Sequence, residues 1–345
     1  MNLENLLFLQ ENQITDLVDN HLPEVRKVIG NRLTFFDVGA AGSIHPITQP
    51  LRSLIRGVLF EPDDNEYKNL ISNSSDFTKV YKYALGEKEG SLPFYVCEAS
   101  TNNSNLQTNQ KFIERYNAQK FQVKHKLTVD VYPLDTLIQR GLVVDKPDIM
   151  KVDTQGTELS ILKGAKRALS ENILCLLLEA EFFEVYSGQP TISEIIEYLK
   201  DFGFFLYGLY PRYRSTKKFK KVAPITEERL MWADCVFLKD PIQNNHPTAE
   251  WNENDITSLV LICLMLGFYD FALELSDKFL STDQDKWKLV VECLSNSRLA
   301  HMKNLLDNSL SGGDPDIKDA LTLCTILKSN TDVHFEAATA AETHR

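Results

Sequence analysis

From residue 33 onward, short apolar runs alternate with stretches of helical periodicity. LTFFDV (33–38), GVLFEP (57–62), TKVYKYAL (78–85), PDIMKVD (147–153) and NILCLLLEAEF (172–182) read as strands. Their near-continuous hydrophobicity suits parallel strands covered on both faces. The intervening spacing predicts helices over 63–72, 157–170 and 191–202. The last opens on Thr191 with Glu194 three residues on, a capping box after Pro190. FFLYGLYP (204–211) and MWADCVFLKD (231–240) follow without a helix between them, which predicts an antiparallel pair at one sheet edge. The whole pattern is α/β, a doubly wound and mostly parallel sheet with right-handed crossovers.

The alternation lapses in three places. Residues 3–29 are spaced as a helix with a break near Pro23, so 1–30 reads as an N-terminal helical segment ahead of a sheet domain over 31–240. Between 86 and 135, SLPFYVCEA and HKLTVDVYPL read as strands around the polar stretch STNNSNLQTNQ (100–110), an insertion near the ligand face or a surface loop. After a linker at 241–253, residues 254–330 are helical throughout and predict a small all-α domain, and 331–345 predict a flexible tail. GFYDFALELSDKF (267–279) is similar to one step of a tetratricopeptide helix, with no second copy at a fixed period.

Composition narrows the class. With 345 residues, 43% hydrophobic and 25% charged, the chain has the make-up of a globular protein with a sizeable core, not of a fibrous, disordered or disulfide-framed one. The N-terminus lacks the basic region and cleavage site of a signal peptide. The longest apolar run, LVLICLML (259–266), is far shorter than a bilayer span, so no membrane span and a cytoplasmic location are predicted. Six cysteines without a CxxC pair predict reduced, buried thiols.

Charge then separates the chain into unlike parts. Of a net −11, residues 241–345 hold 16 acids against 8 bases. No basic domain exists, which argues against a nucleic-acid partner. The local exception is PRYRSTKKFKK (211–221), six Lys or Arg in eleven residues, which could steer an anionic acceptor.

Three motifs carry candidate chemistry. FFDVGAAGS (35–43) delivers Asp37, Gly39 and Gly42 at a strand-to-glycine turn, where a backbone can approach a nucleotide. Glu61 ends the next strand, placed to accept both hydroxyls of an adenosine ribose. The glycine spacing lacks the third glycine of GxGxxG, and Asp37 would repel a pyrophosphate but suit a sulfonium ligand with a free ammonium. The balance therefore favours S-adenosylmethionine over NAD. DIMKVDTQGTELSILKGA (148–165) brings Lys151 and Asp153 to the carboxyl end of a buried strand, followed by Gln155, Gly156 and Glu158.

DVGAAG, the EP dipeptide at 61–62, ALG (84–86), KVDTQGTELSILKGA, LLLEAEF (176–182) and YSGQP (186–190) together resemble the FkbM-type S-adenosylmethionine-dependent methyltransferases over about 33–240. The resemblance implies a class I, Rossmann-like methyltransferase fold with a seven-stranded sheet and an antiparallel edge hairpin. It also implies O-methylation of a sugar, glycan or other small hydroxylated metabolite, without a metal. By position it implies that Asp37, Gly39, Ala40 and Gly42 line the methionine end, that Glu61 and Pro62 hold the ribose side, and that Ala84, Leu85 and Asp153 complete the cofactor pocket. The usual turn of the family carries an Asn that this chain lacks, and its glycine falls one residue early.

For the acceptor proton, Asp153, Glu179, Glu181, His45 and His125 are candidates. Asp153 is assigned to positioning, and Glu179 or Glu181 to the base. The rival reading is an inactive Rossmann-like scaffold whose C-terminal helices bind a protein partner or a second copy.

Overall fold

The computed structural model describes residues 9–310 apart from 31, 41, 75–76, 217, 220, 244–250 and 281–283. The predicted tail at 331–345, the helical reading beyond 310 and the first residues of the N-terminal helix lie outside the described residues.

The strands are β1 (Leu33–Val38), β2 (Ile55–Phe60), β3 (Thr78–Tyr81), β4 (Ala84–Leu85), β5 (Gly90–Cys97), β6 (Val123–Tyr132), β7 (Ile149–Val152), β8 (Cys175–Glu181), β9 (Phe204–Arg214) and β10 (Arg229–Lys239). Seven of them form one sheet in the order β3-β2-β1-β7-β8-β10-β9, and β4, β6 and β5 form a separate three-stranded sheet. In the large sheet only β10 runs antiparallel to its neighbours, β8 and β9. This is the class I methyltransferase order, and it bears out the mostly parallel sheet with its antiparallel edge. The chain leaves β1 outward to β2 and β3, then returns to place β7 on the other side of β1. That reversal is a topological switch point, where open α/β sheets leave a crevice at the strands' carboxyl ends.

Helices cover both faces. They are α1 (Gln13–His21), α2 (Val25–Val28), α3 (Asp64–Asn73), α4 (Gln110–Tyr116), α5 (Leu134–Gln139), α6 (Glu158–Lys163), α7 (Lys166–Glu171), α8 (Ile192–Lys200), α9 (Glu253–Leu266), α10 (Tyr269–Phe279) and α11 (Gln284–Leu310). One core joins Phe36, Val38, Met150, Val152, Leu176 and Leu178 to side chains from α5 to α8. The other face, with Phe35, Ile149, Cys175, Leu177 and Val236, is covered by the N-terminal helices together with α9, α10 and α11 in one continuous core. Every residue of α9 from Ile256 to Leu266 is buried. A helix apolar on all sides belongs in an interior, and here the sheet lies on one side of it and helices on the other.

Most predicted elements stand within a few residues of the observed ones, the Thr191–Glu194 capping box among them. Two readings change. The predicted helix over 157–170 is two short helices, broken at Gly164. A Cβ at Gly164 would lie 2.0 Å from the Gly86 carbonyl oxygen, and Asp135 caps the second helix by accepting the Arg167 and Ala168 amides at 2.7 and 3.1 Å. The predicted strand over 78–85 divides, β3 staying at the edge of the large sheet while β4 crosses to the small one.

If α9 is part of the main core, emptying its interior destabilises the whole molecule. Leu261→Ala should lower the free energy of unfolding by about 2–5 kcal/mol in urea denaturation, in a single transition rather than by early loss of a separate tail.

Candidate active site

The crevice at the switch point is lined by the ends of β1, β2 and β7. Gly39, Ala40, Glu61, Pro62, Ala84, Leu85 and Asp153 all face it, joined by Phe60, Tyr83 and Phe94. Asp37 and Gly42 do not line it. The Asp37 side chain is buried below the turn, and the Gly42 carbonyl accepts the Asn73 side-chain amide at 3.2 Å. The insertion at 86–133 supplies the opposite wall, where Ser100, Thr101, Asn103 and Asn105 meet the cleft. The polar stretch therefore belongs to the ligand face, one of the two places the pattern allowed.

Gly39 is the steric condition for this cleft. Its φ is +78°, and a Cβ there would stand 2.1 Å from the Asp153 carbonyl oxygen. Only glycine allows both the left-handed turn and the close crossing of the β1 and β7 ends. Glu61 accepts the Asp63 backbone N–H through Oε1 at 2.8 Å and lines the cleft. Burial pushes its carboxyl up to about 7, and the nearby Asp63, Glu66 and Asp37 charges push in the same direction. A half-buried carboxylate beside a slot of Pro62, Ala84 and Leu85 fits an adenosine: the diol to Glu61, the base to the apolar slot. The set therefore fits the group the sequence implied.

Asp153 connects this cleft to a second, charged pocket formed with His45, Lys151, Glu179, Arg212 and Asp234. Lys151 donates to Asp37 at 3.2 Å and lies 3.6 Å from Asp153. Burial works against its ammonium, but Asp37, Asp153 and Glu179 outweigh it and hold its pKa above the ordinary lysine value. Gln155, in a left-handed backbone conformation (φ 61°), donates its side-chain N–H groups to Asp153 and Glu179, both at 2.8 Å. Its Oε1 accepts the Tyr186 hydroxyl at 2.7 Å. Arg212 pairs with Asp234 at 3.1 Å across the β9–β10 hairpin.

The carboxyls around this pocket are hard to ionise. Burial raises Glu179 well above the ordinary range, and the Asp153, Asp234 and Glu158 charges add to it. Glu158, whose Oε1 accepts the Thr154 and Gly156 amides, is pushed up to about 7, chiefly by burial. Glu181 is also raised by burial, but it lines neither pocket, and its Oε2 has no partner among the described residues. His125 is exposed on β6 and lines neither pocket. His45 accepts the Ile47 N–H at Nδ1 (3.3 Å) and lines the charged pocket.

Gln155 stood in the sequence reading only as part of the 148–165 motif and Arg212 only as part of the basic run at 211–221, and Asp234 was not singled out. Asp234 had a signal, a lone acid inside the apolar run MWADCVFL.

Residues 37–206 match the family model of the methyltransferase FkbM domain. This stretch of the chain is an FkbM methyltransferase domain. Among solved structures, an FkbM methyltransferase from Methylobacillus flagellatus KT is similar at 19% identity and a TM-score of 0.34, over 60% of this chain and 44% of that one. The chain thus spans less than half the length of that relative. Magnesium protoporphyrin IX methyltransferase from Synechocystis PCC 6803, solved with bound SAM, is similar at 8% identity and a TM-score of 0.30, over 66% and 80% of the two chains. TrmK from M. capricolum, in complex with S-adenosyl-homocysteine, is similar at 10% identity and a TM-score of 0.29, over 81% and 96%. No match is found among the curated proteins. Among the described residues of the chain, no helix is long and apolar enough to cross a membrane.

The turn of the FkbM domain is expected to tolerate no side chain at its first glycine. Gly39→Ala should destabilise the fold by about 3 kcal/mol or more, read as a drop in Tm, while Gly42→Ala, with open space around its Cβ, should cost less.

Proposed function

We propose that the FkbM domain is a cytoplasmic S-adenosylmethionine-dependent methyltransferase that methylates a hydroxyl of a sugar, glycan or other small metabolite. The observation that carries this reading is the placement of Asp153 between two pockets. On one side lies a cleft with the carboxylate and apolar slot an adenosine needs, and on the other a polar pocket with a carboxyl of raised pKa. When bound, the cofactor supplies a methyl group on a sulfonium, a good leaving group for in-line displacement.

The protein's own part is then positional and acid–base. Glu61 would orient the ribose, and the Gly39–Ala40 turn would let the methionine end lie against the backbone. Asp153, one oxygen held by Gln155, would keep a negative charge near the sulfonium and fix the edge of the acceptor pocket. Glu179 has its Oε1 held by the same Gln155. Its raised pKa makes it a stronger base than an ordinary carboxylate once ionised, which suits removal of a hydroxyl proton as the methyl is transferred. Glu179 is the base in this reading, because it lines the acceptor pocket and Glu181 does not. The inactive-scaffold reading is not favoured, because an inert crevice has no need of three carboxyls gathered around one lysine at the strand ends.

Calorimetric titration with S-adenosyl-homocysteine tests the cofactor half of this reading. Glu61 must be ionised to accept both ribose hydroxyls, so its carboxyl near 7 makes binding weaken as pH falls. Affinity should be about tenfold lower at pH 6 than at pH 8, and Glu61→Gln should weaken binding and flatten that dependence. No binding at either pH by the folded protein would remove the reading.

Acceptor screening tests the other half. With a hydroxylated acceptor found, Glu179→Gln should lower kcat by about 10²-fold or more while S-adenosyl-homocysteine binding is retained. An unchanged kcat would assign the base elsewhere.

A further inference from the structure

A separate concavity lies on the same sheet edge, between α4 and the outer end of the β9–β10 hairpin. Arg115, Arg214 and Arg229 line it with Tyr116 and Tyr213, and Glu227 and Glu228 are also on its wall. Arg214 and Arg229 are directly opposed in the antiparallel register. Like charges facing one another across a strand pair repel, so this placement favours an anion bound between them.

The described residues supply none to the arginines themselves. Arg212, two residues before Arg214, is neutralised by Asp234, but no ion pair to Arg115, Arg214 or Arg229 is formed among the described residues. Their guanidinium carbons lie over aromatic rings instead. Arg229 lies 4.1 Å from the Phe183 centroid, and Arg214 lies 5.1 Å from Trp232 and 5.8 Å from Phe121. Stacking occupies the face of a guanidinium and leaves its N–H edge, the geometry that grips a planar or tetrahedral oxyanion. Burial lowers the Arg214 pKa, the mark of a cation partly desolvated without a counter-charge. In a chain of net charge −11, this local excess is no general property of the surface.

We infer that this concavity is an oxyanion site for a phosphate-bearing ligand, held between the N–H edges of Arg214 and Arg229 with Arg115 across the groove. Two opposed cations call for a dianion, which a phosphate monoester supplies and a single carboxylate does not. The exposed Phe219 and Ile225 on the same wall offer apolar surface to whatever carries the phosphate. A soluble phosphate ester and a phospholipid headgroup share this chemistry. The site stands independently of methyl transfer, since it is made of residues outside the crevice.

The test uses the full chain at low ionic strength, with two probes. Inorganic phosphate is titrated calorimetrically, and phosphatidylcholine vesicles with and without phosphatidic acid are used for co-sedimentation. Saturable phosphate binding, weakened at least tenfold in Arg214→Gln/Arg229→Gln, is the expected result for a soluble ligand. Sedimentation with the phosphatidic acid vesicles only, lost in the same variant, supports the site with a lipid-borne phosphate. Binding of neither probe, or binding that the double variant retains, overturns the proposal. The variant relieves a repulsion, so its Tm should equal or exceed that of the parent. Should it fail to fold, the single Arg229→Gln, at an exposed position, repeats the measurement. S-Adenosyl-homocysteine affinity, measured alongside, should not change, which keeps this result separate from the fate of the methyltransferase reading.

Discussion

The Lys151 ammonium is the charge around which the crevice edge of the sheet is organised. It is buried at the carboxyl end of β7, next to Asp37 on β1, its Cα partner in the parallel register. Removing either partner would leave an uncompensated charge in the sheet, a loss of the order of 3–5 kcal/mol. The pair does more than join two strands. Asp153 and Glu179 lie within its field, and without that ammonium Asp37, Asp153 and Glu179 would repel one another at the strand ends. The ion pair thus makes an acidic pocket compatible with a folded sheet, and the pocket is where an acceptor proton could be taken.

Gln155 is the second member of that arrangement. A carboxamide has two N–H donors and one acceptor oxygen, and here all are used, on Asp153, Glu179 and Tyr186. Its backbone carbonyl accepts the Ser104 hydroxyl at 2.8 Å, tying the turn after β7 to the inserted segment. Tyr186 is itself seated in a small aromatic core with Phe112, Phe121 and Phe183. A chain of contacts therefore runs from the insertion to the two carboxyls. The left-handed backbone at Gln155 is the strain accepted for it.

The helices after residue 252 belong to the same construction. By covering the face of the sheet that carries Phe35, Ile149 and Leu177, α9 and its neighbours seal the underside of the edge bearing Lys151 and Asp37. The apolar stretch at 259–266 is explained by this double-sided burial.

Much of this was legible from the residues. Parallel strands buried on both faces must be apolar almost throughout, so β1, β7 and β8 announce themselves. Gly39 is visible before any coordinates as the glycine that follows an apolar strand, although the Asp153 carbonyl that forbids a side chain there is known only from the structure. Glu61 and Asp153 are visible for a related reason, as acids at the carboxyl ends of apolar strands. What remained hidden depends on partners distant in sequence. Asp37 belongs to an ion pair with Lys151, 114 residues away. The break at Gly164 answers to the Gly86 carbonyl, and of Glu179 and Glu181, two residues apart on one face of β8, only Glu179 lines a pocket. Local sequence determined the strands, the glycine turn and the acids at their ends, because those obey short-range sterics and periodicity. Which acids share a proton, a lysine or a glutamine was decided only by the tertiary structure, because low-dielectric pairing acts across space and takes no account of chain order.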